Sequence, residues 1–505
     1  MGTLDERNPS VWVETTRDAL AAASAGTPTG SYDVIVVGAG ITGLSTALEL
    51  AERGSRVALL EAGRVCSGVT AYTTAKVSSL HGLIYDGLVR HRGKELAQAY
   101  ADANQAAIAT VAAWVDRYGI ECDFSRRPAY TYTTDASRVG EIEAEVEAAS
   151  ALGLPVTFTN ETELPYAVQA AIRMDDQAQF HPRRYCLGLA AAFTSLGGQI
   201  FEDTRVTGVN DGSPCEVHIG DDRLTAAHVV LATHLPILDR GLFFAKTHPT
   251  RSYAMTARLR TAPPQGMYLS ADQPTRSVRS AEGDTLVILG GEGHKVGQDP
   301  DTRERYAALE DWAQTEWEVD DIVHRWSAQD YVSGDGVPYI GRQLPGSRIF
   351  VGTGFGKWGM ANGTAAAGII ADQLENKDNP WSGAFRAARM AAPFTSKETY
   401  KENVDAVGGH LVGERLKTLN PPDADTLAPG EGGIVKLDGD KVAAYRHEDG
   451  SITAVSPVCR HVGCLVSFNT AERSWDCPCH GSRYTLDGKV IQGPSVHDLE
   501  NKSPQ

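Results

Sequence analysis

The sequence predicts an α/β unit with a parallel sheet, interrupted by antiparallel α+β segments and followed by a separate all-β domain. Three observations carry this. Near the N-terminus a β-branched run enters a glycine-rich turn and leaves it as a helical run. Elements of the same kind return near residues 200–234 and 335–374, with longer antiparallel-looking runs between them. Beyond a polar, proline-bearing stretch the chain turns to short β-runs around a cluster of cysteines and histidines.

The first turn is Val34-Ile35-Val36-Val37-Gly38-Ala39-Gly40-Ile41-Thr42-Gly43, followed by a helix from Leu44 to Ala51. In such a strand–turn–helix the first glycine permits the turn. The second lets backbone approach a pyrophosphate, and the third lets helix and strand pack closely. The helix N-terminus offers free N–H groups to the phosphates. A second strand, Val57-Ala58-Leu59-Leu60, ends in Glu61, an acid placed for a ribose hydroxyl and against a 2′-phosphate.

Composition narrows the rest. The 505 residues suggest two to four domains, and the net charge of −17 argues against nucleic acid or an anionic membrane as partner. No run of eighteen apolar residues exists, and Met1 to Thr16 lacks a signal-type apolar stretch, so a soluble cytoplasmic protein is expected. Cys66, Cys122, Cys186 and Cys215 are scattered and read as small hydrophobes, whereas Cys459, Cys464, Cys477 and Cys479 are clustered.

In chain order, residues 1–30 read as a loosely held lead-in. Gly63 to Gly82, rich in Ser, Thr and Gly, reads as too polar for a core element: either plain loop, or a wrap around a cofactor's phosphates and ring edge. Leu96–Tyr118 and Val139–Leu152 read as peripheral helices. Strands are expected at 156–158, 171–174, 199–201, 206–209 and 229–233, and a helix opens at Phe180-His181-Pro182 with the proline in its first turn. Residues 250–332 read as a mostly antiparallel sheet interrupted by a helix over Thr302–Trp317. Strand Ile349–Val351 then leads through Gly352–Met360 into a small-residue helix, Ala365–Leu374.

The segments Gly38–Gly43 with Glu61, Thr73-Thr74-Ala75-Lys76, Phe180-His181-Pro182, Ala232-Thr233, Asp335–Gly341 and Gly354–Gly359 resemble the D-amino-acid oxidase, glycine oxidase and sarcosine oxidase group of FAD-dependent oxidoreductases. The resemblance implies a Rossmann-type FAD-binding domain assembled from residues 30–95, 180–240 and 333–380. An antiparallel α+β substrate domain is inserted at 96–179 and 241–332. The resemblance places Gly38, Gly40, Ile41, Thr42 and Gly43 on the pyrophosphate, Glu61 and Ala62 on the adenosine ribose, and Val206 near the adenine. Ser67, Thr73, Thr74, Ala75 and Lys76 belong to the wrapping segment, beside Ala232 and Thr233. Gly354, Gly356, Lys357, Trp358, Gly359 and Met360 belong at the isoalloxazine end.

A helix-like stretch from Ser396 to Leu419 and the linker Asn420–Asp425 fill residues 381–428, ahead of a domain at 429–505. Its β-runs, 433–437, 441–446 and 451–455, precede Cys459-Arg460-His461 and Cys477-Pro478-Cys479-His480. Two cysteines and two histidines on two loops suit zinc, or a 2Fe-2S cluster with His on one iron; residue types alone leave both open. Cys477-Pro478-Cys479-His480-Gly481-Ser482 closely resembles the second box of Rieske domains, and Gly493-Pro494 resembles their proline loop. That resemblance implies an all-β Rieske domain whose 2Fe-2S cluster is held by Cys459, His461, Cys477 and His480. It also implies a disulfide between Cys464 and Cys479, and hydrogen bonds from Ser482 and Tyr484 to cluster sulfur that raise the potential.

The combination implies a dehydrogenase: FAD oxidises a C–N bond of a small amine or amino acid, and electrons leave singly through the cluster to an external protein or quinone. Lys76, Lys357, Arg251 and Tyr253 are the catalytic candidates, the last two as a carboxylate clamp. Tyr331, Tyr339 and Trp358 fit packing or ring-facing roles equally, and His81, His181 and His234 fit ordinary hydrogen bonds. Two other readings remain. One is an electron-transfer flavoprotein reduced by a partner or nicotinamide, for which no second Gly-x-Gly-x-x-Gly is present. The other is a biosynthetic tailoring enzyme acting on a larger substrate.

Overall fold

The computed structural model describes residues 8–19, 26–299, 301–389 and 420–504; the helix-like stretch expected over 396–419 lies outside them. The run Val34–Val37 becomes the heart of a parallel sheet because it is apolar on both faces. Val34 and Val36 join the core beneath the helices, while Ile35 and Val37 join a second core on the opposite face. Strand Ser31–Val37 lies between Val57–Leu60 and Asp222–Leu231, parallel to both. Gln199–Phe201 extends one side, and Ile349–Thr353 with antiparallel Tyr339–Arg342 extends the other. The strand expected over 206–209 is the short Gly208–Asn210, which pairs with Cys215–Ile219 on the flank of Asp222–Leu231.

Helix Ile41–Glu52 packs on this sheet together with Gly359–Leu374, Pro182–Ser195 and Lys94–Tyr118. Its approach to Gly359–Leu374 is close: a Cβ at Gly363 would lie 2.7 Å from Thr42 Oγ1. Helix Lys94–Tyr118 is less peripheral than its pattern suggests, since Tyr100, Asn104, Ile108 and Trp114 are buried in that packing.

The second sheet runs Val319–Ser333, Thr247–Leu259, Leu286–Lys295, Ser277–Ala281, Met267–Ser270, Ser125–Thr133, Ala170–Gln179 and Lys76–Val77. Its pairings are antiparallel except Met267–Ser270 with Ser125–Thr133. The C-terminal part is all-β. Gly432–Leu437, Asp440–Arg446 and Ile452–Val455 form one antiparallel sheet; Ser467–Asn469, Ser474–Asp476, Arg483–Tyr484 and Val490–Gln492 form another. Among the described residues no helix is long and apolar enough to cross a membrane.

Two expectations are corrected. The lead-in is tied down from Ser10 onward: Val11–Glu14 is a short helix, and Trp12, 1% exposed, donates its indole N–H to Thr73 O at 2.7 Å. The triplet Val11-Trp12-Val13 was the available signal. The segment 63–82 is polar yet largely buried from Thr70 to His81. Its polar atoms find partners inside: Arg279 donates to Ala75 O, Gln177 Oε1 accepts from Ser79 N, and His81 bonds Tyr100 OH and Ser78 O. Composition overstates exposure where tertiary partners satisfy the polar groups.

Candidate functional site

Two glycines of the first turn, Gly38 and Gly43, are required by a close approach of backbone. Gly38 has φ 102°, and a Cβ there would lie 2.6 Å from Ala232 O; one at Gly43 would lie 1.8 Å from Gly38 O. Gly40 caps helix Ile41–Glu52 with no side chain in the way, and Ile41 N donates to Thr70 Oγ1 at 3.2 Å. Glu61 stands at the end of the neighbouring strand, accepting from Ala39 N at 2.7 Å and Gly63 N at 2.8 Å. Burial pushes its carboxyl up from the ordinary value, and those two N–H groups oppose the shift.

A cavity of about 1100 Å³ starts at this turn and runs between the two large sheets. Gly38, Gly40, Ile41 and Thr42 line it, as do Glu61 and Ala62 on one side and Val206, Ala232 and Thr233 on another. Ser67, Thr73, Thr74 and Lys76 of the buried polar segment form a third wall, and Lys357, Trp358, Gly359 and Met360 close the far end. Four expected positions do not line it. Gly43 packs helix against strand, Ala75 is fully buried, Gly354 crowds Thr247 and Tyr339, and Gly356 donates its N–H to Tyr331 O. Thr70 and Phe355, inside two segments the sequence assigned to the cofactor, also line the cavity, as do Arg205, His234, His294 and Asp330, which the sequence did not assign to it. Only tertiary contact reveals the last four.

Lys76 and Lys357 both face the cavity. Lys76 Nζ donates to Ser277 Oγ, and among the described residues no carboxylate pairs with it. Burial lowers its pKa to about 7, with the Arg279 guanidinium adding to the effect. Lys357, at φ 75°, projects its Nζ over Gly293, where a Cβ would lie 3.2 Å away. It is exposed only in the sense of facing open cavity, and the protein packed around it lowers its pKa against the pull of Asp330. Asp330 itself accepts from Lys357 N and Tyr331 N and pairs with His234 Nε2 at 2.8 Å. Tyr253 OH meets His294 Nε2 at 2.9 Å, and Trp358 stacks on His81 with centroids 4.4 Å apart.

Arg251 does not join this group. It is fully buried, and its guanidinium donates to Ser327 Oγ, Gln329 Oε1 and, at 2.8 Å, Asp476 Oδ2 of the C-terminal domain. A buried arginine is held where its charge is matched, and the match is a carboxylate across a domain interface. Asn469, Ser474 and Arg483 complete the shell of Asp476. Burial would raise the Asp476 carboxyl; Arg251 and Arg483 outweigh that and hold it at about 2.

In the C-terminal domain Cys464 and Cys479 form a disulfide that joins the two loops. The sulfurs of Cys464, Cys477 and Cys479 lie within 4.8 Å of one another, but two of the three are spent in that bond. The remaining donors fit a mixed cysteine–histidine centre: Cys459 and Cys477 are free and in mutual contact, and His461 Nδ1 faces His480 Nδ1 at 3.3 Å. Tyr484 OH lies 3.2 Å from Cys459 Sγ, and Ser482 also reaches that sulfur while accepting from Ser495 N at 3.0 Å.

This domain is seated on the cavity. Ile491, Gln492, Gly493, Ser495 and Val496 form part of the cavity wall. Tyr331 OH donates to His480 O at 2.9 Å and lies 3.3 Å from Gly493 O, while Gln329 Nε2 donates to Gly481 O at 2.8 Å. Tyr331 is thus an interface residue, and His234 links to Gln492 at 3.0 Å.

Known proteins match both parts. Residues 33–373 match the FAD dependent oxidoreductase family DAO, and residues 422–502 match the Rieske [2Fe-2S] domain. The Bacillus subtilis (strain 168) protein YhfW, named for a Rieske 2Fe-2S iron-sulfur protein, is 36% identical over 475 residues, covering 93% of this chain and 92% of that one. Glycine oxidase from Geobacillus kaustophilus aligns over 72% of this chain and 100% of its own, with TM-score 0.62 and 20% identity. An L-amino acid deaminase from Proteus vulgaris aligns over 74% and 98%, with TM-score 0.61 and 19% identity. At those identities the two structural likenesses concern the fold. A glycine turn with an acid at the next strand end, opening a cavity of this size, fits FAD; two thiols and two inward imidazoles fit a Rieske centre. The chain belongs to the DAO family of FAD-dependent oxidoreductases and ends in a Rieske domain, and its cofactors are FAD and a 2Fe-2S cluster.

Proposed function

We propose that this oxidoreductase removes a hydride from a carbon bearing nitrogen, in an amine or amino acid, and passes the electrons singly through its cluster to an external protein or quinone. The observation that carries the relay is the shared wall: residues 491–496 of the C-terminal domain line the same cavity as the Gly38 turn. The substrate class is supported by the fold shared with a glycine oxidase and an L-amino acid deaminase. In this reading residues 30–95, 180–240 and 333–380 hold FAD, 96–179 and 241–332 shape the substrate side, and 429–505 hold the cluster. Cys459, His461, Cys477 and His480 are its ligands.

Bound FAD supplies hydride acceptance and the 2Fe-2S cluster one-electron transfer. The chain supplies position and charge. Lys357 Nζ, over the glycine floor at Gly293 and near Ser252, whose buried hydroxyl lacks a hydrogen-bond partner, offers a seat for a carboxylate. Lys76 Nζ, with its pKa near 7, takes up a proton at neutral pH, the direction needed to keep a substrate nitrogen neutral. Tyr331 holds the His480 and Gly493 carbonyls against the cavity wall.

An anaerobic screen of amines and amino acids tests the reading. A substrate should bleach the flavin, and the reduced-cluster signal should follow. A cluster that stays oxidised beside fully reduced flavin removes the relay. Bleaching by NADH with no response to any amine removes the substrate class.

A further inference from the structure

The segment of the flavin-binding part that follows strand Asp222–Leu231 folds over the outer edge of the cluster site. Asp239 Oδ1 lies 2.9 Å from His461 Nε2. Phe244, five residues on, stands edge-on to both imidazoles, with centroids 5.6 Å from His461 and 5.0 Å from His480. The two histidines are not treated alike. His480 Nε2 is buried with no hydrogen-bond partner, whereas His461 Nε2 meets a carboxylate from another part of the chain. With the two Nδ1 atoms turned toward each other, Nε2 is the nitrogen left to carry a proton outward, and Asp239 is placed to accept from it.

We propose that Asp239 is a tuning residue of the cluster: docking the flavin-binding part onto the Rieske domain adds a carboxylate to a cluster ligand and lowers the reduction potential. The inference rests on the ligand set assigned above and deepens the relay reading.

The sign follows from charge. An imidazole on an oxidised centre is more electron-poor, so its N–H bonds a carboxylate more strongly than after an electron arrives. Asp239 therefore favours the oxidised state. Tyr484 and Ser482 act oppositely, since hydroxyls near cysteine sulfur favour the added negative charge. The donors that raise the potential belong to the Rieske domain, and the acceptor that lowers it belongs to its partner domain. By linkage, reduction weakens the Asp239–His461 contact by the same factor by which that contact disfavours reduction.

The test uses the full chain with both cofactors and compares the parent with Asp239→Asn, Asp239→Ala and Asp239→Glu. Asp239 has a side chain 63% exposed, so these variants retain the fold. The readout is a redox titration followed by electron paramagnetic resonance at one pH, at low and high ionic strength. Asn, a neutral acceptor, and Ala should each ease cluster reduction by up to about tenfold, a rise of up to ~59 mV for a one-electron couple. Glu should stay near the parent, and the difference should shrink at high salt because the carboxylate is exposed. Flavin reduction by dithionite should be unchanged. An intact Rieske signal with the parent potential in Asn and Ala, or with a lower one, overturns the proposal alone. Absence of that signal from the parent protein overturns the ligand set, and this inference with it.

Discussion

The flavin cavity and the cluster pocket share a wall but are built in opposite ways. The cavity is open and assembled from distant segments, and among the described residues neither Lys76 nor Lys357 on its wall pairs its ammonium with a carboxylate. The cluster pocket is more local: its two thiols and two imidazoles lie between residues 459 and 480, on loops joined by the Cys464–Cys479 disulfide. The cavity leaves charge for a ligand to answer, whereas the pocket already places Tyr484 OH beside Cys459 Sγ and Asp239 beside His461 and leaves only His480 Nε2 of its imidazole Nε2 atoms without a partner. The contacts between them also divide. Arg251 and Asp476 form a buried ion pair between the domains, while Tyr331, His234 and Asp239 bond His480 O, Gln492 and His461 across the same interface.

The harshest way to break the comparison is His480→Ala. If the pocket is local, iron content should fall to nothing while FAD remains bound and yellow, as judged by metal analysis and the visible spectrum. Loss of both cofactors together would show that the two sites fold as one.

Arg251→Met comes next. It leaves Asp476 buried beside Arg483 alone, and removing one partner of a buried pair costs about 3–5 kcal/mol. Denaturant unfolding should register that loss, with cluster reduction by flavin slowed even where the cluster stays assembled. A stability equal to the parent's would mean that the interface does not depend on the pair.

A smaller effect separates the cavity's charge from ordinary surface charge. The folded pKa of Lys76, about 7, lies below its ordinary 10.5. Below pH 7 folded and unfolded chains both hold the proton and the burial penalty is fully present. Between pH 7 and 10.5 only the unfolded chain holds it, so stability rises with pH. Lys76→Met should therefore stabilise flavin-free protein at pH 7, with the advantage fading toward pH 10.5. An advantage constant across that window would contradict the desolvated lysine.

The smallest effect is in the pocket. Tyr484→Phe removes a hydroxyl 3.2 Å from Cys459 Sγ and should lower the cluster potential. A threefold to tenfold change in the reduction equilibrium is expected, at most about 59 mV. An unchanged potential would show that the hydroxyl does not tune the centre.

The cluster site was the more legible because its chemistry is contiguous. Cys459-Arg460-His461 and Cys477-Pro478-Cys479-His480 stand in two short runs, and the Cys464–Cys479 disulfide that their resemblance to Rieske domains implied is present in the structure. The Gly38 turn was legible because its three glycines stand in one short run, although the backbone that Gly38 approaches, Ala232 O, lies far along the chain. Arg251 shows where such reading ends. As a strand arginine near a substrate side it suited a carboxylate clamp, but its partner is a carboxylate 225 positions later. The burial of Trp12 and of the polar segment 70–81 is equally hard to read, since it depends on partners such as Thr73, 61 residues from Trp12, Gln177, 98 residues from Ser79, and Arg279, 204 residues from Ala75.

By itself the sequence determined the glycine turn, the clustering of cysteines and histidines near the C-terminus and the order of α/β and all-β segments. Each of these is set by side-chain periodicity or by residues close together in the sequence. Only the tertiary structure decided which charges meet. Asp239 on His461, Arg251 on Asp476 and the seating of residues 491–496 in the cavity wall join positions more than two hundred residues apart. A single sequence carries no local mark of such pairs, because either partner alone is an ordinary charged or polar residue, and its meaning comes from the burial and the partner that folding supplies.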